Sequence, residues 1–207
     1  MIWRVPPGEW AGRRAFILGG GASLAAFDVG RLQGQGHVIA INDAGLDLAP
    51  WADILFFADG CERWFGWNRD KLHLFKGARL VTRRRVPDVP KLHMLKHDAD
   101  AALSRDPGVL AGFCSGASAI NLAFHLGASE IVLLGFDMRP GHWHDNHKLP
   151  NPLPQPYRDQ FMPSLTRMSF ELAQDGCRVL NATPGSALRC FPVADIEDIL
   201  HGQAMPA

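Results

Sequence analysis

Four near-continuous apolar runs, Ala15–Leu18, His37–Ile41, Asp53–Ala58 and Glu130–Leu134, constrain this chain more than any other feature. Each stops on glycine, asparagine or aspartate: Gly19, Asn42, Asp59 and Gly135. Runs this short suit strands rather than helices, and the lack of a polar alternate face suits a parallel sheet covered on both sides. Arg79–Thr82 is a shorter strand candidate, Leu92–Leu95 supplies at most one more, and Arg178–Leu180 is the last. Helical patterns separate them. Ser23 is placed to cap a helix through Ala25, Ala26, Phe27 and Leu32, and Cys61–Lys71 reads as a short helix rich in tryptophan and phenylalanine. Ser115 or Ser118 can cap a helix that Gly127 ends, Thr166–Gln174 is closed by Gly176, and Ala194–Leu200 closes the chain.

Strands alternating with helices over 207 residues predict one α/β domain spanning 1–207, Rossmann-like, with a mostly parallel sheet and helices on both faces. Residues 1–14 form a lead-in that Trp3 and Trp10 pin down by packing. Residues 139–160 are a His- and Pro-rich loop without hydrophobic period. Val86–Gly112 is broken by Pro87, Pro90 and Pro107 and reads as a lid or a substrate-specific insertion.

Composition excludes several classes of function. Lys+Arg and Asp+Glu both number 21, so a charge-driven pull toward nucleic acid or a membrane surface is not expected. Arg83-Arg84-Arg85 is the one local basic cluster, either a solvated loop or a contact for a ligand phosphate. Four scattered cysteines without Cys-x-x-Cys read as reduced thiols, and no apolar leader or membrane span is evident, so a cytoplasmic protein is expected. A homo-oligomer is compatible with all of this.

The polar residues fall in one kind of place. Ser23, Asn42, Asp43, Asp59, Asp137, Asn181, Thr183 and Ser186 lie just past the carboxyl ends of strands, and Ser115 opens a helix at the same edge. Open α/β sheets bind ligands there, although turns draw on the same residue types. The first turn, Gly19-Gly20-Gly21 with Ser23, has the form of a strand, a glycine turn and a helix start, a combination that receives phosphate. It is neither the full dinucleotide fingerprint, since Ala25 replaces the third glycine, nor a P-loop.

The densest chemical cluster is Gly141-His-Trp-His-Asp-Asn-His147. His142, His144, Asp145 and His147 are candidate ligands of a divalent metal, yet the spacing matches no standard zinc motif. Alternatively, one histidine is a general base or acid, or the loop is merely a histidine-rich surface. His37 and His125 sit in apolar elements and read as structural, and Cys114 lies where a helix start can lower a thiol pKa, although a packing role is the simpler reading.

Taken together, these motifs resemble known families. Ile17-Leu-Gly-Gly-Gly-Ala-Ser-Leu24 is similar to the Gly-x-Gly-Pro-Ser-Leu opening of 6-hydroxymethylpterin pyrophosphokinase-like proteins and to the glycine turn of bacterial CMP-sialic-acid-dependent sialyltransferases. Asn42, Cys114-Ser115-Gly116, Leu126–Asp137 and Asn181–Leu188 resemble blocks that both groups carry, and Trp10 with the histidine loop is similar to a set of phage and prophage proteins. The resemblance implies a small-molecule nucleotide or nucleotide-sugar ligand, CMP-type favoured, on Gly21, Ser23, Asn42, Ser115 and Gly116, to which the glycine turn and the strand-end pattern add Gly19, Gly20, Asp43, Asp59, Asn181 and Ser186. It implies group transfer of the glycosyltransferase type, with His144 or His147 as base, Asp137 beside it and an unknown acceptor, inside a bacterial host cell if the gene is phage-borne. The same resemblance also admits metal-dependent diphosphate transfer from ATP, or a non-catalytic phage protein that keeps the fold.

Overall fold

The computed structural model describes residues 2–145, 148 and 153–202. Seven strands form one sheet: β1 (Arg14–Leu18), β2 (His37–Ile41), β3 (Ile54–Phe57), β4 (Arg79–Thr82), β5 (Leu92–Met94), β8 (Glu130–Leu134) and β9 (Arg178–Asn181). Between β5 and β8 the chain forms β6 (Lys96–Asp98) and β7 (Val109–Ala111), which pair with each other in a separate two-stranded sheet. The order in the large sheet is β5-β4-β3-β2-β1-β8-β9, with every neighbouring pair parallel. Strands therefore run outward from β1 in one direction through β5 and in the other through β8 and β9, so the order reverses at the β1–β8 crevice. This is an α/β fold of the Rossmann-like type.

Both faces are covered because the strands are apolar on both. Ala15, Ile17, Ile39, Phe56, Ile131 and Leu133 point to one core, shared with α2 (Ser115–Leu126) and α4 (Met162–Gln174). Phe16, Leu18, Val38, Leu55, Phe57 and Leu134 point to the other, closed by α1 (Trp64–Asn68), α5 (Ile196–Leu200) and several single turns. Alternation of side chains along a strand makes the two sets, and burial at roughly 25 cal/mol per Å² of apolar surface drives both. α4 continues from a short helical piece, α3 (Pro154–Pro156), through a π-turn at Tyr157–Phe161, so this helix begins well before the expected Thr166. The lead-in is laced on as expected: Trp10 is 1% exposed and stacks on His37 with ring centroids 4.5 Å apart. His37 and His125 are structural, the latter against the Val109 carbonyl at 2.9 Å.

Three local expectations are corrected. No α-helix follows the glycine turn; the chain makes 3-10 turns at Ala22–Ala26 and Val29–Leu32, separated by Phe27 and Asp28 in extended conformation, and the Asp28 carboxylate caps the second turn by accepting the Gly30 N–H. The N-cap of α2 is Cys114, whose sulfur accepts the Ala117 N–H, not Ser115 or Ser118. Val86–Gly112 holds β5 and also the strands of the small sheet, where one short strand was expected. Among the described residues, no helix is long and apolar enough to cross a membrane.

Candidate functional site

A cavity of about 180 Å³ opens at the carboxyl ends of β1, β2 and β3. Gly20 follows β1 there, Asn42 and Asp43 follow β2, and Asp59 follows β3, so four residues that the sequence pattern put at this edge share one wall. His142, Trp143 and His144 form a second wall, and Arg63, Trp64, Trp67 and Lys71, on and around α1, form a third. The histidine loop is docked through the glycine turn: the Gly20 carbonyl lies 3.2 Å from His142 Nδ1 and accepts the Trp143 N–H at 3.4 Å. Trp143 packs into the core on that side of the sheet.

The centre of the site is Asp43. Its Oδ1 accepts the Trp64 indole N–H at 2.8 Å, and its Oδ2 lies 3.4 Å from His144 Nε2. Their side chains are only 22% and 14% exposed for Asp43 and His144. A carboxylate fixed on one oxygen by an indole is a rigid partner for an imidazole on the other. Asp43 thus bridges Trp64 and His144 at the cavity wall. Asn42 stands beside it in the left-handed region at φ 55, and its amide Oδ1 is buried without a hydrogen-bond partner at the cavity wall. A buried acceptor left open in a pocket calls for a donor from a ligand.

The glycine turn is built differently from a phosphate cradle. Asp137, on the segment after β8, reaches across the β1–β8 crevice and takes both donors of Ser23, the N–H at 3.1 Å and the hydroxyl at 2.7 Å. The Gly19 and Gly21 amides donate to the carbonyls of Leu134 and Gly135. A Cβ on Gly21 would lie 1.9 Å from Asp137 Oδ2, so the missing side chain admits the carboxylate of the chain itself.

The other expected residues are spread around this edge. Ser115 and Gly116 begin α2, where Gly116 accommodates the Phe136 ring; a Cβ there would meet it at 2.6 Å. Asn181 and Ser186 are buried and hold the chain after β9. Asn181 donates to the Leu188 carbonyl and accepts the Thr183 N–H, and the Ser186 hydroxyl donates to the Phe136 carbonyl. None of these four lines the cavity. Asp145 is exposed, and His147 lies outside the described residues. Among the described residues, no group of three or more His, Cys, Asp or Glu is arranged to hold a metal ion. Arg83 turns inward rather than toward a ligand: its Nη1 donates to the Gly112 carbonyl and the Ser118 hydroxyl, both at 2.7 Å, and burial lowers its pKa to about 10. Burial likewise pushes the Cys114 thiol up, opposite to the direction expected for a helix start.

Sequence reasoning missed the α1 wall, along with Asp47 and Lys148, which also line the cavity. The signal was present: Arg63, Trp67 and Lys71 recur every four residues and so fall on one helical face.

No protein-family model and no curated protein matches the sequence. Solved structures similar to the chain include the Maf glycosyltransferase of Magnetospirillum magneticum AMB-1, with a TM-score of 0.64 and 15% identity, covering 94% of this chain and 35% of that one. They also include the sialyltransferase CstII of Campylobacter jejuni, solved in complex with the substrate analogue cytidine-5'-monophosphate. Here the TM-score is 0.57 and the identity 14%, covering 88% of this chain and 85% of that one. The chain shares its α/β fold with both proteins. The chain spans about a third of the Maf protein and most of the sialyltransferase.

Proposed function

We propose that this protein binds a nucleotide or nucleotide-sugar in the cavity at the ends of β1–β3 and transfers a group from it in a glycosyltransferase-like reaction, with His144 as general base. The observation that carries the reading is the Trp64–Asp43–His144 chain set beside the open Asn42 amide. Asn42 offers the hydrogen bonds that the edge of a base requires, and Trp64, Trp67 and Trp143 offer aromatic surface around it. Asp43 stabilises the imidazolium that forms when His144 takes the proton of an acceptor hydroxyl. The likeness in fold to CstII, solved with CMP, favours a cytidine nucleotide among the candidates.

The test is a binding and turnover panel with CMP, UDP, GDP, ATP and CMP-sialic acid, with and without Mg²⁺. A metal-independent stabilisation by a cytidine nucleotide is expected; a ligand at a hundred times its dissociation constant adds about 2.7 kcal/mol. His144→Ala should lower turnover of the active donor by about 10²–10⁴ while leaving nucleotide binding in place. Asp43→Asn should lower it as well, by removing the carboxylate that faces His144 Nε2. Full turnover in the His144 variant would overturn the assignment of the base. Stabilisation by ATP only with Mg²⁺ would select diphosphate transfer instead.

A further inference from the structure

We infer that the anionic end of the ligand is held by the α1 wall, through Arg63 and Lys71 with Lys148 opposite, and not by the glycine turn. The inference rests on the nucleotide reading above and adds to it where the phosphate goes. It starts from the turn itself. Phosphate sites on glycine turns work because several N–H groups point at an empty space beside a helix start. Here the helix is absent, the Ser23 N–H and hydroxyl are both taken by Asp137, and the space that Gly21 leaves open is filled by the Asp137 carboxylate. A phosphate brought to this turn would meet a carboxylate already in place.

The cavity supplies positive charge elsewhere. Trp67 lies on α1, Arg63 is the residue that precedes that helix and Lys71 stands on the 3-10 turn Arg69–Leu74 that follows it, and all three line the cavity. Lys148 comes from the opposite side, with its Nζ 5.5 Å from the centre of the Trp67 ring. Of the carboxylates of the cavity, Asp43 and Asp59 lie at strand ends and Asp47 on the π-turn Ala44–Leu48 that follows β2. Asp43 is engaged by Trp64 and His144, and Asp59 touches Arg63 only loosely, at 4.0 Å with the Arg63 side chain 64% exposed. The cavity therefore has a polar, hydrogen-bond-accepting inner rim and a cationic outer wall mounted on an aromatic ring. That polarity suits a ligand whose base or sugar donates N–H or O–H groups inward and whose phosphate faces α1. Arginine forks and lysine ammonium groups both recognise phosphate oxygens directly.

The experiment compares cytidine, CMP and inorganic pyrophosphate as probes on the full chain, by calorimetry and tryptophan fluorescence, in the wild type and in Arg63→Gln, Lys71→Gln and the double variant. Arg63 and Lys71 lie on the exposed side of the cavity, and matched thermal melts check that the variants fold. CMP is expected to bind the wild type about tenfold or more tightly than cytidine, with an affinity that falls as salt rises. The double variant should lose that preference while binding cytidine as before, and Ser23→Ala should keep it. Pyrophosphate should quench tryptophan fluorescence saturably in the wild type and not in the double variant. Retention of the full CMP preference by the double variant, or loss of it in Ser23→Ala alone, would overturn the inference. So would a phosphate effect seen only with added Mg²⁺, or an absence of pyrophosphate binding. If pyrophosphate binds through the two cations and neither cytidine nor CMP binds, the anion site stands and the nucleotide reading falls.

Discussion

At the scale of single residues, the molecule is most specific where a polar side chain replaces something that the chain motif would lead one to expect. Gly21 and Asp137 are the clearest pair. Gly21→Ala puts a methyl group within 1.9 Å of the carboxylate that Ser23 holds in place. It is expected to destabilise by about 1–3 kcal/mol, the range for overpacking a well-filled site. In an Asp137→Ala background the same change should cost much less, and a double-mutant cycle by chemical denaturation measures that difference. Equal costs in both backgrounds would mean that the carboxylate does not fill the turn. Asn121 makes a similar point inside α2. It is fully buried, its Oδ1 accepts the N–H groups of Ser104 and Ala111, and its Nδ2 donates to the Ser104 carbonyl. Asn121→Leu strands two buried donors at about 1–3 kcal/mol each, so a loss of several degrees in melting temperature is expected. Nothing in the sequence marks this residue, because its partners lie 10 and 17 positions away, at the end of β7 and in the loop before it.

At the scale of elements, the strands were legible and the connections were not. β2, β4 and β8 match their apolar runs residue for residue, because a strand buried on both faces leaves a direct trace in composition. The segment after β1 has apolar residues at helical spacing, yet Phe27 and Asp28 are extended and Asp28 caps a new turn, so two single turns form instead. The small sheet escaped notice because its strands have three residues each and include Lys96, His97 and Asp98. In the site, Asn42, Asp43, Asp59 and His144 were readable from strand ends and from the histidine cluster. The α1 wall was visible only as an aromatic helix without an assigned role. Connections also explain the lead-in, which donates N–H groups to the carbonyls of Met94, Pro107 and Leu126 and so bridges elements far apart in the chain. Trp10 anchors it, with Glu9 accepting from Arg79 beside it. Trp10→Ala should cost about 3–5 kcal/mol, which lowers the melting temperature of a domain this size by about 6–20 °C. A shift of a degree or two would show that the lead-in is an ornament on the fold rather than part of it.

At the scale of the whole molecule, the parallel sheet places the polar loops, and a set of partly buried histidines bears on how stability responds to pH. All seven strands point their carboxyl ends the same way, so polar loops gather at one edge while the interior on both faces stays apolar. Three histidines lie in the outlying part of the chain, from β5 to the end of α2, and burial holds each below its ordinary value of 6.5. Arg79 adds to the effect at His93, and Arg83 and Arg84 add to it at His97, while the Gly112 and Val109 carbonyls oppose it at His97 and His125. These imidazoles are therefore neutral in the folded protein at a pH where the unfolded chain already takes up protons. Below about pH 6.5 the unfolded state binds more protons than the folded one, so stability falls as pH falls, until the folded state is protonated as well. Carboxylates contribute their own acid effect only nearer pH 4. Urea denaturation from about pH 7.5 to 5 should show a steady loss of stability, and the slope should flatten in His97→Gln/His125→Gln, which cannot take up those protons. An unchanged slope in the double variant would mean that these two rings do not carry the acid sensitivity.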